Sequence, residues 1–175
     1  MGTPTLVVVT GPAGSGKTTL AHALAPGVGC PALCRDELKE GMVASIPGFV
    51  PAQSDPLTMR TYDLFFALMD QLLRAEVTLV AEAAFQHPLW WRGLEPLTGL
   101  ATLKVVRCQV AEGVARRRML ARLAAQGTRA AHADTAYLSA AAPFDALHLD
   151  VPTLDVDTTD GWRPGLAEIV AFCRA

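Results

Sequence analysis

The chain opens on an uninterrupted apolar run, Leu6-Val7-Val8-Val9, with no polar residue at alternate positions. Continuous β-branched hydrophobicity is the pattern of a parallel strand covered on both faces, because a strand with one wet face would alternate. A glycine-rich stretch follows, and Thr18 to Ala25 then reads as a helix that the pattern predicts to stop at Pro26-Gly27. The first unit is therefore strand, loop, helix. Four further runs read as strands: Pro31 to Cys34, Val77 to Ala81, Ala101 to Arg107 and Pro152 to Val156. The segments between them are long enough for the crossover helices that parallel pairing requires. Asp55-Pro56 can open a helix reaching Arg74, along which Leu64, Phe65, Leu68, Met69 and Leu72 fall mostly at helical spacing. Gly41 to Gln53, with Pro47-Gly48 and Pro51, reads as a loop, and His87-Pro88 as another helix start. Glu112 to Ala125 reads as a helix with a basic face, and Leu166 to Cys173 as the last helix. The expected fold class is α/β, a five-stranded parallel sheet with helices on both faces.

Composition narrows this without changing it. A length of 175 residues suits a single domain spanning 1–175. Hydrophobic residues make up 51% of the chain and charged residues 18%, which excludes a disordered protein. The net charge of −2 supplies no global field for a polyanion, so nucleic acid is disfavoured and phosphate recognition must be local. No apolar run reaches the roughly 18–20 residues of a membrane span, and the first residues lack a basic stretch, so a cytoplasmic protein without membrane contact is expected. Cys30, Cys34, Cys108 and Cys173 show no C-x-x-C spacing, and His22, His87, His132 and His148 form no H-E-x-x-H pattern. The cysteines read as small buried hydrophobes, and no histidine is assigned to chemistry.

The strongest chemical signal is Gly11-Pro12-Ala13-Gly14-Ser15-Gly16-Lys17-Thr18, a complete G-x-x-x-x-G-K-[ST] match between an expected strand and an expected helix. Its glycines let consecutive N–H groups point into one anion-binding concavity, and the helix that begins near Gly16 adds its positive end. Lys17 is positioned by this spacing to reach the β- and γ-phosphates of ATP, and the Thr18 hydroxyl to ligate Mg2+. Thr19 adjoins the same nucleotide-binding segment. Glu82, directly after the strand Val77 to Ala81, stands where a second acidic group for the metal belongs. Either magnesium or substrate contact fits Glu82, as does a carboxylate that simply faces water.

Asp36 follows the second strand in Arg35-Asp36-Glu37-Leu38-Lys39, and it is expected at the carboxyl end of a strand next to the loop-bearing one. It can act on an acceptor or cap the following helix. Arg116-Arg117-Arg118 and Arg122 make one face of a helix basic, with Arg118 and Arg122 one turn apart. That face is either solvated or aimed at phosphates. Nothing in the pattern alone decides.

Taken together, the glycine loop, the Arg35-Asp36 pair, the acid at Glu82 and the arginine-rich helix resemble the small P-loop kinases that include polynucleotide 5′-hydroxyl kinase, chloramphenicol phosphotransferase and gluconate kinase. The resemblance covers nearly the whole chain. It implies a P-loop NTPase fold with a small helical lid at about 112–140, and a γ-phosphoryl transfer from ATP to a hydroxyl. It further implies that Asp36 is the general base or orienting acceptor, and that Arg122, with Arg118, neutralises the transferring phosphoryl group. Arg35, Lys39 and Glu82 become expected acceptor-side contacts, and Thr158, in the segment after the last strand, an adenine-side contact. Phe85, near a strand end, can wall the acceptor pocket, although core packing is the commoner role for such an aromatic. One departure stands out: Lys39 replaces an arginine of the polynucleotide kinases, exchanging a bidentate fork for a point charge. The chain contains no asparagine, so the guanine-reading N-K-x-D signature is absent and ATP is the expected nucleotide. A small-molecule hydroxyl acceptor is the expected partner, with a nucleoside, nucleotide or polynucleotide as the alternative. An ATP-driven regulatory switch or slow ATPase is the alternative of another class.

Overall fold

A computed structural model describes residues 2–51, 56–86, 89–125, 131 and 144–175. Strands β1 (Thr5–Thr10), β2 (Ala32–Cys34), β3 (Leu79–Glu82), β4 (Thr102–Gln109) and β5 (Thr153–Asp157) form one sheet in the order β2-β3-β1-β4-β5. Every pairing is parallel. The helices are α1 (Lys17–Val28), α2 (Arg35–Ala44), α3 (Pro56–Arg74), the short α4 (Trp91–Leu94) with a 3₁₀ turn at Glu95–Leu97, α5 (Glu112–Ala124) and α6 (Leu166–Arg174).

The continuous apolar run of β1 now has its explanation. Leu6 and Val8 enter one core with Phe65, Met69, Phe85 and Leu94, while Val7 and Val9 enter the opposite core with Leu20, Leu24 and Ile169. Both faces are dry, so neither set of positions can be polar. Lys104 of β4 is the exception that the second core tolerates: its stem is buried and its Nζ donates to the Phe172 carbonyl at 2.8 Å, in the last turn of α6. A cation there complements the negative end of that helix.

Three expectations need correction. Helix α1 runs through Pro26 to Val28 and closes on Gly29, which adopts φ 86° and donates to the Ala25 carbonyl. A left-handed glycine ends the helix, and packing carries the turn past the proline: a Cβ on Gly27 would lie 2.6 Å from Val170 Cγ2 of α6. Helix α2 takes up Gly41 to Ala44, the first residues of the expected 41–53 loop. The second strand pairs with β3, not with β1, so Asp36 starts one strand farther from the phosphate loop than expected. The half-exposed, three-residue β2 behaves as an edge, whereas the fully buried β3 takes the place beside β1. Asp55, the expected helix opener, and the His87-Pro88 pair lie outside the described residues, as do 126–130 and 132–140 of the expected lid. Among the described residues no helix is long and apolar enough to cross a membrane.

Candidate active site

The carboxyl ends of β1, β3 and β4 meet where β1 turns into the glycine loop. Gly11 and Gly14 are required there by close approach. A Cβ on Gly11 would sit 2.5 Å from the Cys108 carbonyl oxygen of β4, and one on Gly14 would sit 2.6 Å from the Ala115 carbonyl oxygen of α5. Gly14 and Gly16 also hold φ near 77° and 76°, which side chains seldom adopt. The loop curls back so that Ser15 N–H donates to the Pro12 carbonyl, and α1 starts directly behind it.

Other chain segments brace this loop from outside. Thr158, buried just past β5, donates its hydroxyl to the Ser15 carbonyl at 2.7 Å and lies 3.0 Å from the Gln109 carbonyl. Arg118 reaches from α5 to the Gly14 carbonyl at 3.4 Å and to the Thr158 and Thr159 carbonyls at 2.7 and 3.4 Å. The guanidinium therefore cross-links α5, the glycine loop and the β5 end. Thr10, the last residue of β1, donates to the Ala84 carbonyl at 2.6 Å and fixes the chain after β3. The basic helix is accordingly not a wholly solvated face. Arg116, Arg117 and Arg122 are exposed, but Arg118 is docked on the loop.

Inside the cradle, Lys17 folds over its own loop and donates to the Pro12 carbonyl at 3.0 Å. The fully buried Ser15 hydroxyl has no hydrogen-bond partner among the described residues. An orphaned buried donor costs about 1–3 kcal/mol, and an oxyanion at the loop would satisfy it. The Thr18 hydroxyl donates to Glu82 Oε2 at 3.1 Å. Two hard oxygens from separate elements thus converge beside the lysine, a donor set that suits magnesium. Glu82 is only 4% exposed. Burial raises its proton affinity above the ordinary carboxylate range, Lys17 opposes that shift, and the Asp36 and Glu37 charges reinforce it. A cation would relieve both the burial and the crowding of carboxylates.

The side expected to take an acceptor is bordered by α2 and α3. Helix α2 begins at the residue after β2, with Cys34 at the capping position and no side-chain cap hydrogen bond. Asp36 therefore does not cap its helix. Its carboxylate accepts from Arg35 at 3.1 Å, and its charge is felt at Glu82. Arg35 also donates to the Thr58 carbonyl at 3.2 Å, and Lys39, buried at 4% exposure, donates to the Thr58 hydroxyl at 3.2 Å. Thr58, on the first turn of α3, is the gathering point that no sequence pattern announced. Phe85 is fully buried against Phe65 and Trp90, so its ring belongs to the core and not to an open pocket wall. Its φ of 44° marks the turn that carries the chain away from Glu82. Thr19 is exposed on α1.

A family model described as an AAA domain matches residues 6–147. The chain belongs to this family, among the small P-loop kinases. A candidate kinase from Chloroflexus aurantiacus is similar over 99% of this chain and 98% of its own, with 28% identity and a TM-score of 0.85. The APS kinase of Mycobacterium tuberculosis, solved with AMPPNP and APS, shares 17% identity over 98% of each chain at a TM-score of 0.63. A gluconokinase from Sinorhizobium meliloti shares 21% identity over 98% of this chain and 89% of its own at a TM-score of 0.54. No curated protein matches the sequence. The expectation of a kinase-like P-loop fold is met, and the P-loop kinase architecture supplies a nucleotide-binding loop with the geometry described above.

Proposed function

We propose that this P-loop kinase transfers the γ-phosphoryl group of ATP to a hydroxyl group of a small molecule. The observation that carries the reading is the line of groups running from Lys17 through Thr18 and Glu82 to Asp36. A phosphate-binding lysine, a paired hydroxyl and carboxylate for a hard cation, and a second carboxylate beyond them follow one another across the strand ends. A slow ATPase switch has no need of the last of these.

The loop N–H groups, the Ser15 hydroxyl and Lys17 bind the phosphates. Thr18 and Glu82 would hold magnesium, which would supply positive charge to the phosphates. Asp36 accepts the hydroxyl proton as the new O–P bond forms and the bond to ADP breaks. Because the transition state for such transfers is loose, alignment of the hydroxyl by Asp36 matters as much as proton removal. Arg118, docked on the loop, and Arg122, one turn farther out, supply positive charge to the transferring group. Arg35 and Lys39 face the acceptor side and hold α2 on α3 through Thr58.

ATP consumption measured with and without a panel of sugars, antibiotics, nucleosides and a 5′-hydroxyl oligonucleotide tests the proposal. Stimulation by one class, with a phosphorylated product, is expected. Steady hydrolysis that no hydroxyl compound stimulates contradicts a kinase, and a response to nucleosides or the oligonucleotide alone moves the acceptor to the alternative class.

A further inference from the structure

Dispersed in sequence, His22, Cys34 and Glu37 meet where β2 passes into α2, with Cys34 also in contact with Glu82. His22 comes from α1, Cys34 from the last position of β2, and Glu37 from the first turn of α2. The His22 Nε2 atom lies 2.6 Å from Glu37 Oε1 and 3.7 Å from Cys34 Sγ, and the three ligating atoms fall within 4.8 Å of one another. Two neighbouring ligands of a tetrahedral zinc ion, at ordinary Zn–N, Zn–O and Zn–S lengths, stand roughly 3.3–3.7 Å apart. The sulfur–imidazole spacing already matches, and the imidazole–carboxylate pair has to open by less than about 1 Å. Its two members are half-exposed, 51% and 48%, and can make that adjustment, while the sulfur is anchored in the core.

We propose that His22, Cys34 and Glu37 form a binding site for a borderline-soft divalent metal ion of the zinc type, with water in the fourth position. Sulfur, imidazole nitrogen and carboxylate oxygen together select such an ion over magnesium, which keeps to oxygen. An exposed histidine–glutamate hydrogen bond needs no thiol beside it. Here the pair closes over the one cysteine that ends the edge strand. Binding exchanges the thiol S–H bond for a sulfur–metal bond and releases the proton to solvent. The site links α1, β2 and α2, so an ion bound there fixes the base of the helix that carries Asp36. It differs in donor type from the Thr18–Glu82 position, which it adjoins through the contact between Cys34 and Glu82.

Co2+ is the probe, because a thiolate bound to it gives a charge-transfer absorption that oxygen ligands do not. The metal-free protein should take up one Co2+ per chain with this band, and Zn2+ should displace it. Cys34→Ala should abolish the band, whereas Cys30→Ala and Thr18→Ala should keep it. His22→Gln and Glu37→Gln, both on the surface, should each weaken Co2+ binding by roughly 100-fold, since even outer partners of metal ligands cost 10–100-fold. No thiolate band in the parent, a band that survives Cys34→Ala, or affinities unchanged in both surface variants would each overturn the site. Should Cys34→Ala not fold, the two surface variants decide.

Discussion

The glycine-loop end of the candidate site and the α2–α3 end proposed for the acceptor are built from different materials. The first is mostly backbone: a glycine loop held by carbonyl contacts to Thr158 and Arg118 and pressed against β4 and α5 at Gly11 and Gly14. The second is mostly side chains, with Arg35, Asp36, Lys39 and Thr58 bonded to one another between two helices. Backbone cradles are generic to any phosphate and tolerate little change. Side-chain clusters can be rewritten one residue at a time, which is how a single P-loop scaffold comes to serve many acceptors.

That contrast can be broken by mutation, and the largest effect belongs to Lys17. Lys17→Ala should bring ATP turnover down to background both with and without acceptor, while the melting temperature stays close to the parent value, because the half-buried ammonium supports no core. A folded variant that still turns over ATP would remove the loop from the reaction. Next comes the double substitution Arg118→Gln, Arg122→Gln. It should lower the maximal rate about 10²-fold or more and nucleotide affinity far less, since contacts to the transferring group strengthen as charge shifts in the transition state. Steady-state kinetics of the parent and variant separate the two quantities.

Glu82→Gln is expected to raise the magnesium requirement by about tenfold, as one carboxylate ligand is lost. The same change should raise the melting temperature of the nucleotide-free protein at neutral pH. The sign follows from burial: the folded-state proton affinity of Glu82 is raised, so the native state binds more protons than the unfolded state above the ordinary carboxylate pKa. Stability therefore falls as pH rises through that window, and glutamine removes the loss. Melting curves of both proteins across pH provide the check, and parallel curves would contradict it. The smallest effect on rate is expected from Thr158→Val, which removes the hydroxyl that donates to the Ser15 carbonyl. It should cost about 1–3 kcal/mol of stability, read by denaturant unfolding, and reduce turnover only through loosening of the loop.

The same division governed what could be read from the sequence. The loop, its strand and its helix were legible because backbone geometry writes itself into glycine spacing, and β1 because double burial forbids alternation. Glu82 was legible from its position after an apolar run, and the structure pairs it with Thr18. The neighbour of β2 was not, since strand order depends on which crossover packs where, and no local pattern encodes it. Thr58 stayed hidden because a threonine in a helix carries no motif. Phe85 was left between pocket wall and core, because an aromatic near a strand end looks the same in either place, and the structure buries it. Arg118 stood out by its charge alone, and its partners, carbonyls of the loop and of the β5 end, are contacts that exist only once the sheet has formed. His22 and Cys34 were passed over for a similar reason: their proximity comes from α1 packing beside the β2–α2 junction.

Asp36 carries the central claim, because its carboxylate is what separates a hydroxyl kinase from a nucleotide switch. Since Cys34 and not Asp36 stands at the start of α2, Asp36→Asn should leave the helix and the melting temperature nearly unchanged. The deciding measurement is the ratio of acceptor phosphorylation to acceptor-free ATP hydrolysis in Asp36→Asn and parent protein, at saturating ATP and magnesium. The account predicts that phosphorylation falls by about 10²-fold or more, the usual scale of general acid–base catalysis, while acceptor-free hydrolysis and ATP binding hold. An Asp36→Asn enzyme that phosphorylates its acceptor at the parent rate would contradict it.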